Sequence, residues 1–167
     1  MEALIVILVI AAFLFLGYHM TKKTNAKLKG KGFDPNDLIK NLKYMCGHPD
    51  LNAPTSADIG IKDGSIYLMT TLGDDLAFIP ENQIKNIYVE DSTTIQSRPT
   101  VVRFLAVGLL AFAWQKKKKN EQAYLGVEWN DGRFDHDTIF EYEGKGAMQK
   151  ANTARNKLIQ QIKKQTL

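Results

Sequence analysis

The sequence predicts an α+β protein in which an N-terminal transmembrane helix precedes a curled antiparallel sheet or barrel, capped by a C-terminal helix. Three observations predict it. Met1 to Met20, MEALIVILVIAAFLFLGYHM, is apolar apart from Glu2 and His19. From Asp58 onward apolar residues recur with a period of two between tight-turn signals, and after Gly146 the period becomes that of a helix. Strands in succession followed by one helix exclude a parallel α/β sheet, which needs a helix between strands.

At about 1.5 Å per residue the leading apolar run reaches about 30 Å, the thickness of a hydrocarbon core. Its start carries no lysine or arginine, and it ends in Gly17, Tyr18, His19 and Met20 rather than a small-residue cleavage site. Residues 1–21 are therefore expected to be a retained anchor. The Lys-rich linker, 22–33, places Lys22, Lys23, Lys27, Lys29 and Lys31 directly beyond it. By the positive-inside rule these lysines are membrane-proximal in the cytoplasm, and the N-terminus lies outside. A cell-membrane protein that crosses once, with a cytoplasmic domain, is the expected arrangement.

The formal net charge of +4 hides a division. Lys22 to Lys31, Lys116 to Lys119 and Lys145 to Lys164 hold five, four and six positives with no acid among them. The rest of Phe33 to Gly144 holds seven positives against seventeen acids. Anionic lipid attracts juxtamembrane lysines at about 1 kcal/mol each near the surface. An acidic body is repelled by the same surface unless another element ties it down. No zinc-finger spacing, RRM aromatic motif or KH loop accompanies the basic runs, so nucleic acid is not the expected partner. The lone cysteine, Cys46, excludes an intrachain disulfide framework.

Residues 34–57 read as a short helix and a loop. Asp34 stands as N-cap with Pro35 at the first helical position, and Leu38, Leu42 and Met45 follow at helical spacing before Gly47 and Pro49. Residues 58–167 form the sheet domain. Lys62-Asp63-Gly64-Ser65 is a hairpin turn, Gly73-Asp74-Asp75 a second, and Asn130-Asp131-Gly132-Arg133 a third, giving six or seven strands. Ala147, Met148, Ala151, Ala154, Leu158, Ile159 and Ile162 then form one helical stripe.

Three segments carry a family resemblance: IPENQIKNI between the third and fourth expected strands, RFLAVGLLAFAWQKKKKNEQAYLGVEW at the centre, and IFEYEGKGAMQKANTARNKLIQQI at the end. The chain resembles the bacterial PH-like (GRAM-like) domains of Gram-positive membrane proteins. The resemblance covers roughly Asp58 to Lys164 and implies the pleckstrin-homology fold. It does not extend to phosphoinositide binding. In eukaryotic lipid-binding members basic residues flank the first hairpin loop, whereas here that loop offers Lys62 beside Asp63, too little charge for a polyphosphate.

An apolar insertion, 101–119, interrupts the sheet pattern. Arg103 to Trp114 spans only about 18 Å as a helix, too short for a second crossing. Its small residues favour a helical excursion over a strand. Arg103, Leu105, Leu109, Phe112 and Trp114, followed by Lys116, Lys117, Lys118 and Lys119, form the expected contact surface for membrane or partner. A subunit contact and ordinary core remain alternatives.

Candidate chemistry is sparse. In a strand, His136 of Asp135-His136-Asp137 points away from both aspartates. His48 beside Cys46 has no second ligand pair, so no metal is expected. Asp74-Asp75 and Glu90-Asp91 have no motif-paired histidine, and Gly144-Lys145-Gly146 lacks the spaced glycines and Lys-Ser/Thr of a P-loop. The expectation is a noncatalytic module with no cofactor, partnered by membrane lipid, another protein or its own copies. A small-ligand sensor, or an accessory subunit of a membrane enzyme or transporter, is the alternative.

Overall fold

The structure, a computed structural model, describes residues 2–52, 54–106 and 121–166. The chain divides into two compact units, Met1–Asp37 and Leu38–Leu167.

The first unit is built on helix α1 (Glu2–Gly30). Among the described residues it is the one helix long and apolar enough to cross a membrane, and its apolar stretch is wholly exposed. The helix does not stop with the apolar run. It continues through Lys22, Lys23, Lys27 and Lys29, so most of the expected linker is helical, with the Thr21 hydroxyl donating to the Gly17 carbonyl at 2.9 Å. Gly32, at φ +87°, ends it: the Phe33 N–H donates to the Leu28 carbonyl (3.0 Å) and the Gly32 N–H to the Lys29 carbonyl (2.9 Å), a Schellman stop.

The second unit is a seven-stranded antiparallel sheet with a C-terminal helix, an α+β fold as expected. Its strands are β1 (Ile39–Cys46), β2 (Thr55–Lys62), β3 (Ser65–Met69), β4 (Asp75–Ile79), β5 (Ile84–Asp91), β6 (Gln122–Asn130) and β7 (Asp135–Glu143), in the order β4-β3-β2-β1-β7-β6-β5. Helix α2 (Pro99–Ala106) lies between β5 and β6, and α3 (Ala147–Thr166) ends the fold. The expected turns form. Asp63 and Gly64 take positive φ between paired Lys62 and Ser65, and Gly132 does so in the β6–β7 hairpin.

The expected helix over residues 34–47 is not formed. Asp34 caps a single turn, its carboxylate accepting the Asn36 N–H at 2.9 Å, and the chain then enters β1, which pairs with both β2 and β7. The helical spacing of Leu38, Leu42 and Met45 arises because β1 is buried on both faces. Leu42 and Tyr44 point into one core while Met45 and Cys46 join another. A doubly buried strand loses its alternation and cannot be told from a helix by periodicity.

The main core gathers Ile59, Leu68, Leu125, Val127 and Phe140 with Ala77 and Ile79 of one edge strand and Ile87 of the other. Residues from both edges meet in one cluster, so the sheet is curled. Helix α3 closes it with Ala154 and Leu158, and spans it through the Arg155 Nε donating to the Ile87 carbonyl (2.7 Å) and the Gln165 amide donating to the Ile61 carbonyl (3.2 Å). Of the expected stripe Met148 alone is exposed, because it lies about 100° round the helix from Ala147.

The β1–β2 loop ties the curl together. Tyr44 receives the His48 N–H on its hydroxyl (2.9 Å) and donates to the Leu51 carbonyl (3.1 Å). The buried His48 ring donates from Nε2 to the Phe78 carbonyl of β4 (3.2 Å), accepts the Asp50 N–H at Nδ1 (3.2 Å), and packs on Trp129 of β6. Both ring nitrogens are satisfied in the neutral form. Burial lowers the His48 pKa, opposed by the Phe78 carbonyl.

Gly47 sits at φ +99°, and a Cβ there would come 1.6 Å from the Asp137 carbonyl oxygen. Gly47→Ala is expected to cost at least about 2 kcal/mol in denaturant unfolding. His48 is neutral in the fold, so its contribution is complete above the unfolded pKa of about 6.5 and is lost as pH falls below it. Unfolding free energy measured from pH 7 to 5 is expected to fall, and His48→Gln is expected to flatten that slope while lowering stability at pH 7.

Candidate functional site

The expected contact surface begins in the connection from β5 to α2, and the structure shows what fixes its root. Asp91 accepts the Thr93 and Thr94 N–H groups at 3.0 and 2.8 Å, turning the chain out of β5, and these bonds hold its carboxyl below the usual range. A 3-10 turn over Ile95–Ser97 follows. Ile95 and Val101 then bury completely against Met45, Cys46, Tyr88, Tyr124 and Ile139. This second core lies on the face of the sheet opposite the first, since Tyr88, Tyr124 and Ile139 alternate with Ile87, Leu125 and Phe140.

A polar network surrounds that patch. The Tyr88 hydroxyl donates to Asp137 Oδ1 (2.9 Å), and the Thr100 hydroxyl donates to Asp137 Oδ2 (3.1 Å). Arg98 stacks on the Tyr88 ring, 3.7 Å from its centroid, and donates from Nε and Nη2 to Glu90 Oε1. Its Nη1 lies 3.6 Å from Asp137 Oδ1. Burial first, and the neighbouring Asp137 charge second, push the Tyr88 hydroxyl pKa upward. Tyr88 fits because Gly126 lies beneath it: a Cβ there would meet the ring at 2.1 Å.

The expected contact residues divide accordingly. Leu105 is half-buried beside Phe104 at the rim of the second core, and Arg103 is exposed with Val102. Leu109, Phe112, Trp114, Lys116, Lys117, Lys118 and Lys119 lie outside the described residues. Lys22, Lys23, Lys27 and Lys29 project from the end of α1, and Lys31 follows it.

The DHD motif separates as its strand placement requires. Asp135 pairs with Lys85 and Asn130, and His136 stacks on Trp129 with its Nε2 2.9 Å from Asp131. Asp137 is buried in the network. Burial raises the Cys46 pKa to about 12, with Asp137 adding to it, so the group remains a thiol. No group of three metal-ligating side chains occurs among the described residues.

Sequence reasoning missed a second surface, an open groove of about 510 Å³ between the start of β1 and α3. Lys40, Tyr142, Lys150, Thr153 and Lys157 line it. Lys150 and Lys157 were visible only as members of a run and Lys40 only as one of the scattered positives of the acidic body, because their convergence depends on β1 being a strand.

No family model matches the chain, and no curated protein matches it.

Removing the Tyr88 hydroxyl tests the anchoring of α2. Tyr88→Phe leaves Asp137 buried with one donor fewer, at an expected cost of about 1 to 3 kcal/mol. Hydrogen exchange of residues 98–106 is expected to accelerate more than that of β2 and β3.

Proposed function

We propose that this chain is a noncatalytic, membrane-anchored module of the bacterial PH-like type. On this reading α1 crosses the bilayer with the N-terminus outside, and the lysines at its end meet the cytoplasmic headgroups. The sheet domain lies in the cytoplasm and presents a surface to membrane lipid or to protein partners, including its own copies. The observation that carries the reading is the wholly exposed apolar helix leading into a folded sheet domain. An apolar surface of that length, left in water, is far larger than the patches soluble proteins expose.

The noncatalytic part is supported by what the ionisable residues do. Asp137 holds Tyr88 and Thr100, Glu90 holds Arg98, and His48 joins the β1–β2 loop to β4. Each is engaged in maintaining the fold. The excursion is supported by its root: α2 is strapped to the sheet, with Val102 and Arg103 outward, and the sequence continues apolar from Val107 to Trp114 before four lysines.

Full-length protein in native membranes is expected to resist alkaline carbonate extraction and to carry an active C-terminal reporter inside the cell only. In proteoliposomes with brominated acyl chains, Trp114 emission is expected to be quenched, and Trp114→Phe to remove the quenched component. Extraction by carbonate, or a reporter active outside, overturns the anchor reading. Unquenched Trp114 with cross-linked dimers assigns the excursion to a subunit contact.

A further inference from the structure

The groove beside α3 is built for an anion. Helix α3 carries Lys150, Arg155, Lys157, Lys163 and Lys164 and no acid. Gln149, Thr153 and Lys157 stand four residues apart on the face that lines the groove, with Lys150 and Ala154 beside them. Among the described residues no carboxylate lines it. Lys157 Nζ donates to the Leu38 carbonyl (3.2 Å), which holds one wall.

The opposite wall depends on an irregular strand. Between Ile39 and Leu42 the β1–β2 register shifts, and Asn41 takes φ +58°, a conformation uncommon outside glycine. Its N–H donates to the buried Asp58 carboxylate at 2.8 Å. Burial raises the Asp58 pKa, with the Asn41 N–H and the Lys40 charge opposing. This bulge leaves Lys40 exposed at the groove, where regular pairing would make it follow the strand's alternation. The third side is the half-buried Tyr142 of β7, whose hydroxyl has no hydrogen-bond partner among the described residues. Lys150 and Lys157 stand two turns apart, about 10 Å along the helix, so one small anion reaches only one of them.

We infer that this groove binds a phosphate-bearing anion, with Lys40, Lys150 and the Tyr142 hydroxyl as its donors. The side chains offer donors in excess of acceptors, the charge is positive, and Leu38, Ile39 and Ala154 supply an apolar floor for the rest of the ligand. Such a phosphate is carried equally by a lipid headgroup or by a soluble ester. The inference deepens the binding-module reading and rests on it for the lipid source alone.

The test uses the full chain in nanodiscs of neutral phosphatidylcholine. One sample is titrated with glycerol 3-phosphate by calorimetry, and a second carries photoactivatable phosphatidic acid in the bilayer. Saturable binding of the ester is expected, weakened at least about tenfold by Lys40→Gln or Lys150→Gln and severalfold by Tyr142→Phe. The double variant Lys163→Gln/Lys164→Gln, which removes twice the charge of either single lysine variant but elsewhere on α3, is expected to change it less than twofold. Crosslinking of the lipid to groove peptides without ester binding, lost in the same variants, assigns the source to a headgroup. Equal weakening by the control variant, or no response to either probe, overturns the site. Tyr142→Phe alters no hydrogen bond among the described residues, so it remains decisive if a lysine variant melts early. Failure of the anchor reading appears separately, as carbonate extraction.

Discussion

Asp137 is the point on which the outer half of the domain depends. Its carboxylate, buried on β7, receives one hydroxyl from β5 and another from the root of α2, with the Arg98 guanidinium beside both. Its backbone carbonyl meanwhile leaves room only for glycine at position 47. A buried charge is tolerable only when it is hydrogen-bonded and paired, and removing one partner leaves the others unsatisfied. The network therefore works as a unit. It holds Tyr88 flat over Gly126 and seats Ile95 and Val101 on the sheet, and through these contacts it fixes the point from which the apolar insertion leaves.

That arrangement gives the sheet two cores of unequal size. The larger one lies inside the curl under α3, and the smaller one is covered by the connection between β5 and β6. Strands β1, β5, β6 and β7 contribute to both. An insertion into an ordinary hairpin loop would be free to swing, since exposed connections carry little tertiary restraint. Here the first turn of α2 is part of the packed structure, and its exposed side carries Val102 and Arg103.

What was legible in the sequence follows from which signals are local. Turns such as Asp63-Gly64 announce themselves because positive φ restricts residue choice, and the α3 stripe is legible because one face alone is buried. The long apolar helix α1 is legible from length and composition. Strand β1 reads as a helix because both its faces are covered and because Asp34 and Pro35 start a real turn that goes no further. The candidate sites were less legible still. Arg98, Tyr88 and Asp137 lie far apart in sequence and meet only through strand pairing. Lys40 reaches the groove only because a bulge locked by Asp58 interrupts the alternation.

An acidic body is repelled by an anionic surface only where its charge acts as a sum, and the fold distributes it otherwise. Several acids are neutralised where they stand: Glu90 by Arg98, Glu141 by Lys43 at 2.9 Å, and Asp135 by Lys85. Helix α3 has no acids of its own, so its cations are not matched within the helix. At physiological salt the field of an exposed charge fades over about 8 Å, so what an approaching anion meets is the nearest face and not the net charge. The α3 side of the domain therefore presents cations even though the domain's strands are rich in Asp and Glu. A domain divided in this way need not be held to an anionic surface against its own charge, provided that α3 is the side that faces it.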